Sequence, residues 1–347
     1  MTNLKVEGKA PMAGNSQTRS GSGIERLKDL GAKQETLLIG VFIVMVLVFT
    51  IINPRFFSAA AFSNILQDFG PVMLMATAQT FIMLTGGIDL SVGALLGLSG
   101  VSAALAVRWA NENGASPTAS ILAGVGTAIL VGALVGGINA FLITRVKLAP
   151  FIATLAMMGV CTGTTLVVTG GVQIAGAPRE LIALGNSRFL GVLTIPLVVV
   201  IVVLFIAWLI LSRTQFGRHS YAIGSNRFAA RVAGINVNKH LVKVYIIGGI
   251  LASLAGLFVY FRLGSGSPSS GRGGELQAIA AAVIGGVSLF GGVGRITGTI
   301  LGALITASVL SGLILIGVEP NAQQIVVGIL IAFAVAVQGI GRNRSTV

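Results

Sequence analysis

The chain has 347 residues, of which 54% are hydrophobic and 10% charged, and its mean hydropathy is +0.93. Because a soluble domain carries about 25% charged residues, this composition excludes an ordinary soluble protein and is typical of a polytopic membrane protein. Basic residues collected in cytoplasmic loops explain the net charge of +13, and no soluble face is visible that would bind nucleic acid.

The N-terminal segment 1–36 is polar and contains Gly-Ser runs, which predicts a disordered cytoplasmic tail. The apolar run that follows begins too late for a signal peptide, and no small-residue cleavage site comes after it. Residues 341–347 predict a second, short cytoplasmic tail. Between the two tails, residues 37–340 form the predicted transmembrane domain.

Ten apolar runs predict an all-α polytopic membrane protein with about ten transmembrane helices, since one such helix takes about 20 apolar residues. Glu275 begins the eighth span, where a carboxylate favours the positive end of the helix dipole. The predicted spans are 37–52, 71–85, 90–107, 120–144, 150–168, 195–211, 244–261, 275–290, 296–316 and 322–340.

The distribution of Lys and Arg predicts the orientation. With the N-terminus inside, 17 of the 23 basic residues fall in inside segments and 6 in outside loops, among them Arg272. This asymmetry follows the positive-inside rule. An even number of spans then places both termini in the cytoplasm.

The second span is short and ends in the sequence TGGIDLSVG at 85–93, which indicates a broken helix with Asp89 at membrane depth. Two interpretations of Asp89 stay open. It is either the N-cap of the next helix, or part of a substrate path, since intramembrane carboxylates are costly and usually functional. A broken helix in a membrane must be buried in protein or line a cavity. The candidate path residues are Gln79, Thr85, Gly86, Gly87, Asp89, Ser91 and Asn139.

The segment 212–243 is a polar cytoplasmic loop with six basic residues and no acidic residue. It contains a predicted short helix that Asn226 or Ser225 caps and that Gly234 ends. Phe228 and Val232 share one face of this helix. So short a helix is marginal alone and must lie against lipid headgroups or a partner. The candidate coupling residues are Gly224, Asn226, Arg227, Phe228, Ala229, Ala230, Arg231, Val232 and Gly234.

The sequence shows no set of nucleophile, base and orienting residue that would indicate catalysis. It lacks the G-x-x-x-x-G-K-[ST] pattern of a P-loop, so we expect no ATP site of its own. His219 and His240 have no Cys or carboxylate cluster beside them to make a metal site. We therefore expect a transporter subunit and not an enzyme, with no cofactor.

Four stretches resemble the ribose-type permeases of bacterial ABC importers. They are TQFGRHSYAIGSN at 214–226 with AARVAGINV at 229–237, LTGGIDLSVG at 84–93, PFIATLAMM at 150–158, and 275–286 with GVGRITG at 292–298. The resemblance runs in order from Pro54 to Gln338. One departure is Arg227, where family members often carry an acidic residue or Pro-Glu.

The resemblance implies a multi-pass inner-membrane permease that carries a monosaccharide or related polyol. Its implied partners are a cytoplasmic ABC ATPase, which binds the ATP, an extracytoplasmic sugar-binding protein and a second permease copy or paralogue. Two alternatives stay open: a branched-chain amino-acid ABC permease of the same architecture, and an ion-coupled secondary carrier that uses Asp89.

Overall fold

The computed structural model describes residues 23–189 and 193–343. This part of the chain consists of thirteen α-helices, a 3₁₀ turn at Pro54–Phe57 and one small hairpin, β1 (Arg188–Phe189) with β2 (Leu193–Thr194). The helices are α1 (Gly23–Ile52), α2 (Ala59–Leu84), α3 (Val92–Glu112), α4 (Pro117–Thr144), α5 (Pro150–Thr169), α6 (Arg179–Asn186), α7 (Ile195–Arg213), α8 (Gln215–Ser225), α9 (Arg227–Val232), α10 (Val237–Leu263), α11 (Gly274–Ile284), α12 (Ile296–Leu315) and α13 (Pro320–Asn343).

Seven of the described helices are long and apolar enough to cross a membrane, and they are α1, α3, α4, α5, α7, α10 and α12. The predicted helical membrane architecture is therefore confirmed. Helices α2 and α13 have 26 and 24 residues, so their length also suffices for a bilayer of about 30 Å. Helix α2 is buried among its neighbours over most of its length and carries buried polar groups such as Gln79.

The predicted start of the second span was wrong, whereas the first predicted span, 37–52, agrees with the apolar part of α1 at Glu35–Ile52. The second span begins at Ala59 and not near Pro71, which lies inside α2. Proline is tolerated within membrane helices where neighbours satisfy the freed backbone groups. Helix α1 begins at Gly23, within the predicted tail, because good helix formers such as Glu and Lys let the helix continue beyond its apolar run. Residues 1–22 and 344–347 of the predicted tails lie outside the described residues.

The eighth predicted span is also corrected. Only Gly274–Ile284 is helical, and its 11 residues rise about 16 Å, too little to cross a bilayer alone. The preceding segment 264–273 runs back along α3. Gly266 packs against Val101 and Ala104, and Gly271 against Gly93 at the start of α3. Arg272 lies near the end of this segment, directly before α11. We call 264–273 the re-entrant segment.

Helix α10 is the centre of the bundle, with α2, α3 and α4 around it. Its backbone contacts α4 closely where Gly249 meets Gly132 and where Tyr245 meets Gly136. Without a hydrophobic effect in lipid, small residues let helices approach and gain dispersion energy. This packing explains why so many glycines occur in a chain that is mostly helical.

The predicted polar loop 212–243 is largely helical. Helix α7 continues to Arg213, α8 covers Gln215–Ser225, and α10 already begins at Val237. The sequence predicted only the short helix α9, because the segment has few apolar residues. In fact α8 is amphipathic and buries Ser220 and Ile223 on one face. The polar segment therefore presents a folded surface.

Candidate functional site

Helix α9 is fixed at both ends by local interactions. The Asn226 carboxamide oxygen accepts hydrogen bonds from the backbone N–H groups of Phe228 and Ala229, both at 3.0 Å. Gly234 follows the helix in the left-handed region, with φ of 82°, which a glycine adopts without strain. The predicted cap at Asn226 and the predicted end at Gly234 are both confirmed, while Ser225 belongs to α8.

One face of α9 is anchored and the other is open. Ala230 is buried against Ile223 and Leu241. On the opposite side, Phe228 is 77% exposed and Val232 is 74% exposed. Two large apolar side chains so exposed on a short helix form a surface that a partner or a lipid interface would cover. We call Phe228 and Val232 the exposed pair.

Arg227 links α9 to the end of α2. Its Nη2 donates a hydrogen bond to the Thr85 carbonyl oxygen at 3.2 Å. The Leu84 carbonyl accepts from the Gly292 N–H at 3.0 Å. The last carbonyls of a helix have no partner within it, so these contacts satisfy two groups that would otherwise need water. A cation is also favourable at the negative end of the helix dipole.

Gly224 lies where α8 meets the same point. A Cβ there would stand 1.8 Å from the Leu84 carbonyl oxygen and 2.4 Å from the Gly292 nitrogen. Glycine is therefore required by close backbone approach. The Tyr221 hydroxyl adds a bond of 2.8 Å to the Gly294 carbonyl, and burial raises the pKa of Tyr221 while Arg295 opposes the rise. Thus α8, the end of α2 and the loop 285–295 form one unit.

The break between α2 and α3 is held by a buried polar network. Asp89 accepts from the backbone N–H of Ser91 at 2.7 Å and from its hydroxyl at 2.6 Å. Asn139 of α4 donates to the same hydroxyl at 3.0 Å. With its amide turned to suit both groups, Gln79 bonds to the Asp89 backbone N–H at 3.2 Å and to its carbonyl at 3.3 Å. The N-cap position of α3 is Ser91 and not Asp89.

The predicted path residues are therefore brought together, but they are buried. Gln79, Thr85, Asp89, Ser91 and Asn139 are each 2% exposed or less. The turn itself uses Gly86, with φ of 76°, and Gly87, where a Cβ would stand 2.5 Å from the Tyr245 hydroxyl oxygen. This arrangement fixes the shape of the break. Arg227 bonds to Thr85, so the break and α9 are neighbours.

The re-entrant segment was missed by the sequence reasoning. Gly274 follows this segment and packs against Met75 of α2. Met75 lies nine residues before the last residue of α2, which is about 14 Å along the helix axis. The start of α11 therefore lies beside the middle part of α2. The only signal in the sequence is the run of five glycines within 264–274, a composition typical of backbone that packs closely without a helix.

The sequence is similar to a known family of membrane transport proteins. The sequence model of the family described as "Branched-chain amino acid transport system / permease component" matches residues 61–335. A ribose import permease protein of Bacillus subtilis (strain 168) is 42% identical over 86% of this chain and 90% of its own. Its counterpart in Escherichia coli (strain K12) is 40% identical over 92% of this chain and 98% of its own.

A fructose import permease protein of Rhizobium meliloti is 37% identical over 83% of this chain and 80% of its own length. No solved structure matches the chain. The aligned regions include α8, α9 and the break. These matches and the apolar helices make the chain a multi-pass membrane protein of the bacterial inner membrane.

Proposed function

The chain belongs to the family of branched-chain amino acid transport system permease components, and we propose that it is the membrane-spanning subunit of an ATP-driven importer for a monosaccharide or a related polyol. The similar proteins named for ribose and fructose import, each covering most of both chains, support the cargo class. A separate cytoplasmic subunit would bind and hydrolyse the ATP.

The exposed pair on α9 carries this proposal. Phe228 and Val232 are 77% and 74% exposed, while Ala230 on the other side of the helix is buried. The helix is therefore held by its own protein and still leaves apolar area uncovered. A groove on the ATPase would cover the pair and receive Arg231 at its rim. The coupling segment would run from Gly224 to Gly234.

The proposed topology has both termini in the cytoplasm. The re-entrant segment and α11 together make one composite crossing, so that ten crossings remain. The loops 145–149, 212–236 and 285–295 would be cytoplasmic; the latter two are joined through Tyr221 and Gly294. The positive-inside rule supports this side for all three.

Two further partners complete the proposed importer. An extracytoplasmic sugar-binding protein would deliver the cargo to the outer face. A second copy of the permease, or a paralogue, would complete the transmembrane path. Both partners are proposed from the resemblance of the chain to ribose-type permeases.

The alternatives have less support. The named relatives are import permeases for sugars, which favours a sugar over a branched-chain amino acid. An ion-coupled carrier would need Asp89 available to a cation. Its Oδ1 instead accepts two hydrogen bonds from Ser91, which favours a structural role.

The double substitution Phe228→Asp with Val232→Asp tests the proposal. We expect the variant to reach the membrane but to lose the co-purifying ATPase and ATP-driven sugar uptake, since two carboxylates oppose burial in a groove. The matched control is Phe57→Asp with Val172→Asp, two residues far from α9 that are 79% and 66% exposed. The control should keep the ATPase. Normal ATPase retention in the first variant would refute docking at α9 and favour a helix that lies on lipid headgroups.

A further inference from the structure

A cavity of about 210 Å³, with both apolar and polar groups in its walls, lies between α5 and the re-entrant segment. Its walls come from four elements, α3, α5, the re-entrant segment and α11, of which the last two adjoin in sequence. Helix α3 contributes small residues, so the polar groups come from the other three elements. The residues that matter for its chemistry are Met158, Thr162 and Thr165 of α5, Ser270 and Arg272 of the re-entrant segment, and Glu275 of α11.

Among the residues that the structure describes, the charged groups of this cavity form no ion pair. Neither Arg272 nor Glu275 takes part in the pairs Arg108–Glu112 and Arg262–Asp68. Charged side chains in the middle of a membrane are costly unless they face a cavity or a ligand. The helix dipole of α11 stabilises the Glu275 carboxylate at the N-terminus of that helix. It does not explain why the positively charged Arg272 lines the same cavity.

The hydrogen-bonding capacity of the cavity suits hydroxyl groups. An arginine only donates, a carboxylate only accepts, and a threonine hydroxyl does both. The Thr165 hydroxyl donates to the Cys161 carbonyl at 2.7 Å and so still has lone pairs to accept with. A polyhydroxylated sugar offers both donors and acceptors around its ring, and can therefore satisfy every one of these groups.

A second polar cavity continues beyond Arg272. It has a volume of about 220 Å³ and shares Arg272 and Gly273 with the first. Its polar lining comes from the amides of Gln277, Gln323 and Gln324. The end of the re-entrant segment therefore stands between two cavities, and Arg272 lines both. In the proposed topology this point lies within the membrane.

We propose that the cavity beside α5 is a sugar-binding station on the translocation path. Arg272 and Glu275 hydrogen-bond to hydroxyl groups of the passing sugar, and Thr162 faces them from α5. The proposal rests on the proposed function and deepens it, because it assigns cargo recognition within the permease to residues outside the buried break. The path lies along the re-entrant segment.

Uptake into proteoliposomes that contain the permease, its ATPase and its binding protein tests the station. The probes are D-ribose, D-fructose and D-allose, each measured separately, with leucine as a fourth. We expect Glu275→Gln and Arg272→Gln to lower uptake of the transported sugar about tenfold to a hundredfold, as loss of a hydrogen bond to a charged group would. ATP hydrolysis stimulated by the loaded binding protein should remain, which shows that the complex still assembles.

A matched pair of threonines on α5 supplies the control. Thr162 lines the cavity, whereas Thr164 is an exposed residue of the same helix outside that lining. Thr162→Val should lower uptake about two- to tenfold, and Thr164→Val should leave it unchanged. If Thr162→Val, Arg272→Gln and Glu275→Gln all import sugar at the wild-type rate, the station is refuted. If the wild-type complex imports no sugar, or imports leucine instead, the proposed function itself fails.

Thiol labelling gives a second measurement that does not depend on turnover. Cys161 is the only cysteine and is buried. In a Cys161→Ala background, Thr162→Cys should react with a charged methanethiosulfonate reagent, and the transported sugar should slow the reaction. Thr164→Cys should react slowly and without protection. Equal labelling of the two positions, or absence of protection by sugar, would overturn the assignment.

Discussion

Replacement of Arg227 by Ala tests how α9 is joined to the membrane domain. The arginine donates to the Thr85 carbonyl at 3.2 Å, and Thr85 is 1% exposed at the end of α2. A hydrogen bond to a charged group contributes about 1.5–3 kcal/mol where it is buried. Arg227 is itself largely exposed, so screening by water reduces this to about 1 kcal/mol.

A change of about 1 kcal/mol corresponds to about a fivefold shift in an equilibrium constant. We expect Arg227→Ala to weaken the contact between α9 and the end of α2. Movement of the ATPase would then be transmitted less completely to the transmembrane helices. The amount of sugar imported per ATP hydrolysed should fall about two- to fivefold in proteoliposomes. The ATPase should stay bound, because Phe228 and Val232 are unchanged.

Arg231→Ala is the matched control. Arg231 has the same charge, lies one turn further along the same helix and is exposed. Arg231→Ala removes one positive charge, as Arg227→Ala does. It should leave the amount of sugar imported per ATP hydrolysed unchanged. A similar fall of the ratio in both variants would refute the specific role of the Arg227 contact. Loss of the ATPase from the Arg227 variant would assign the residue to docking.

The other predictions concern the break, the helix cap and the central packing. Asp89→Asn should retain uptake, since an amide oxygen still accepts both hydrogen bonds, whereas Asp89→Ala should reduce it; loss of uptake in the Asn variant would favour a carrier that binds a cation. Asn226→Ala removes two cap bonds and should weaken ATPase affinity by about 0.5–2 kcal/mol, with Asn226→Asp as the control. Gly136→Ala should lower thermal stability, because its Cβ would stand 2.3 Å from the Tyr245 carbonyl. Gly137→Ala should raise stability by up to about 1 kcal/mol, because a Cβ at Gly137 would meet no atom within 4 Å. Equal effects of Gly136→Ala and Gly137→Ala on thermal stability would contradict the close packing at Gly136.

Local chemistry determined which parts could be predicted from the sequence. Asn226 and Gly234 bound α9 because cap bonds and a left-handed glycine act within a few residues. The break was visible for the same reason, since paired glycines followed by Asp89 and Ser91 interrupt an apolar run. The membrane class followed from composition, which needs no information about contacts.

Features that depend on tertiary contacts could not be predicted. Helix α2 passes through Pro71 because its neighbours accommodate the missing N–H. Residues 285–290 continue the apolar run of α11, so hydropathy alone assigned 275–290 to one helix, although α11 ends at Ile284. The re-entrant segment 264–273 is polar and glycine-rich, and only its packing against α3 shows that it enters the bundle. The bond from Arg227 to Thr85 joins residues 142 apart in sequence. In the sequence, Arg227 was only a departure from the pattern of ribose-type permeases.

The contacts around Gly224 imply a mechanical route from α9 to the proposed sugar station. Since a Cβ on Gly224 would overlap the Leu84 carbonyl and Gly292, α8 has no room to move without displacing both. Gly292 lies in the loop that follows α11, and α11 leads back through about 16 Å of continuous helix to Glu275. A helix transmits displacement along its axis, so a shift of α8 and α9 toward or away from the membrane should move Glu275 against Thr162. If the ATPase docks at α9 as proposed, we expect the charged wall of the cavity, at Arg272 and Glu275, to move relative to α5.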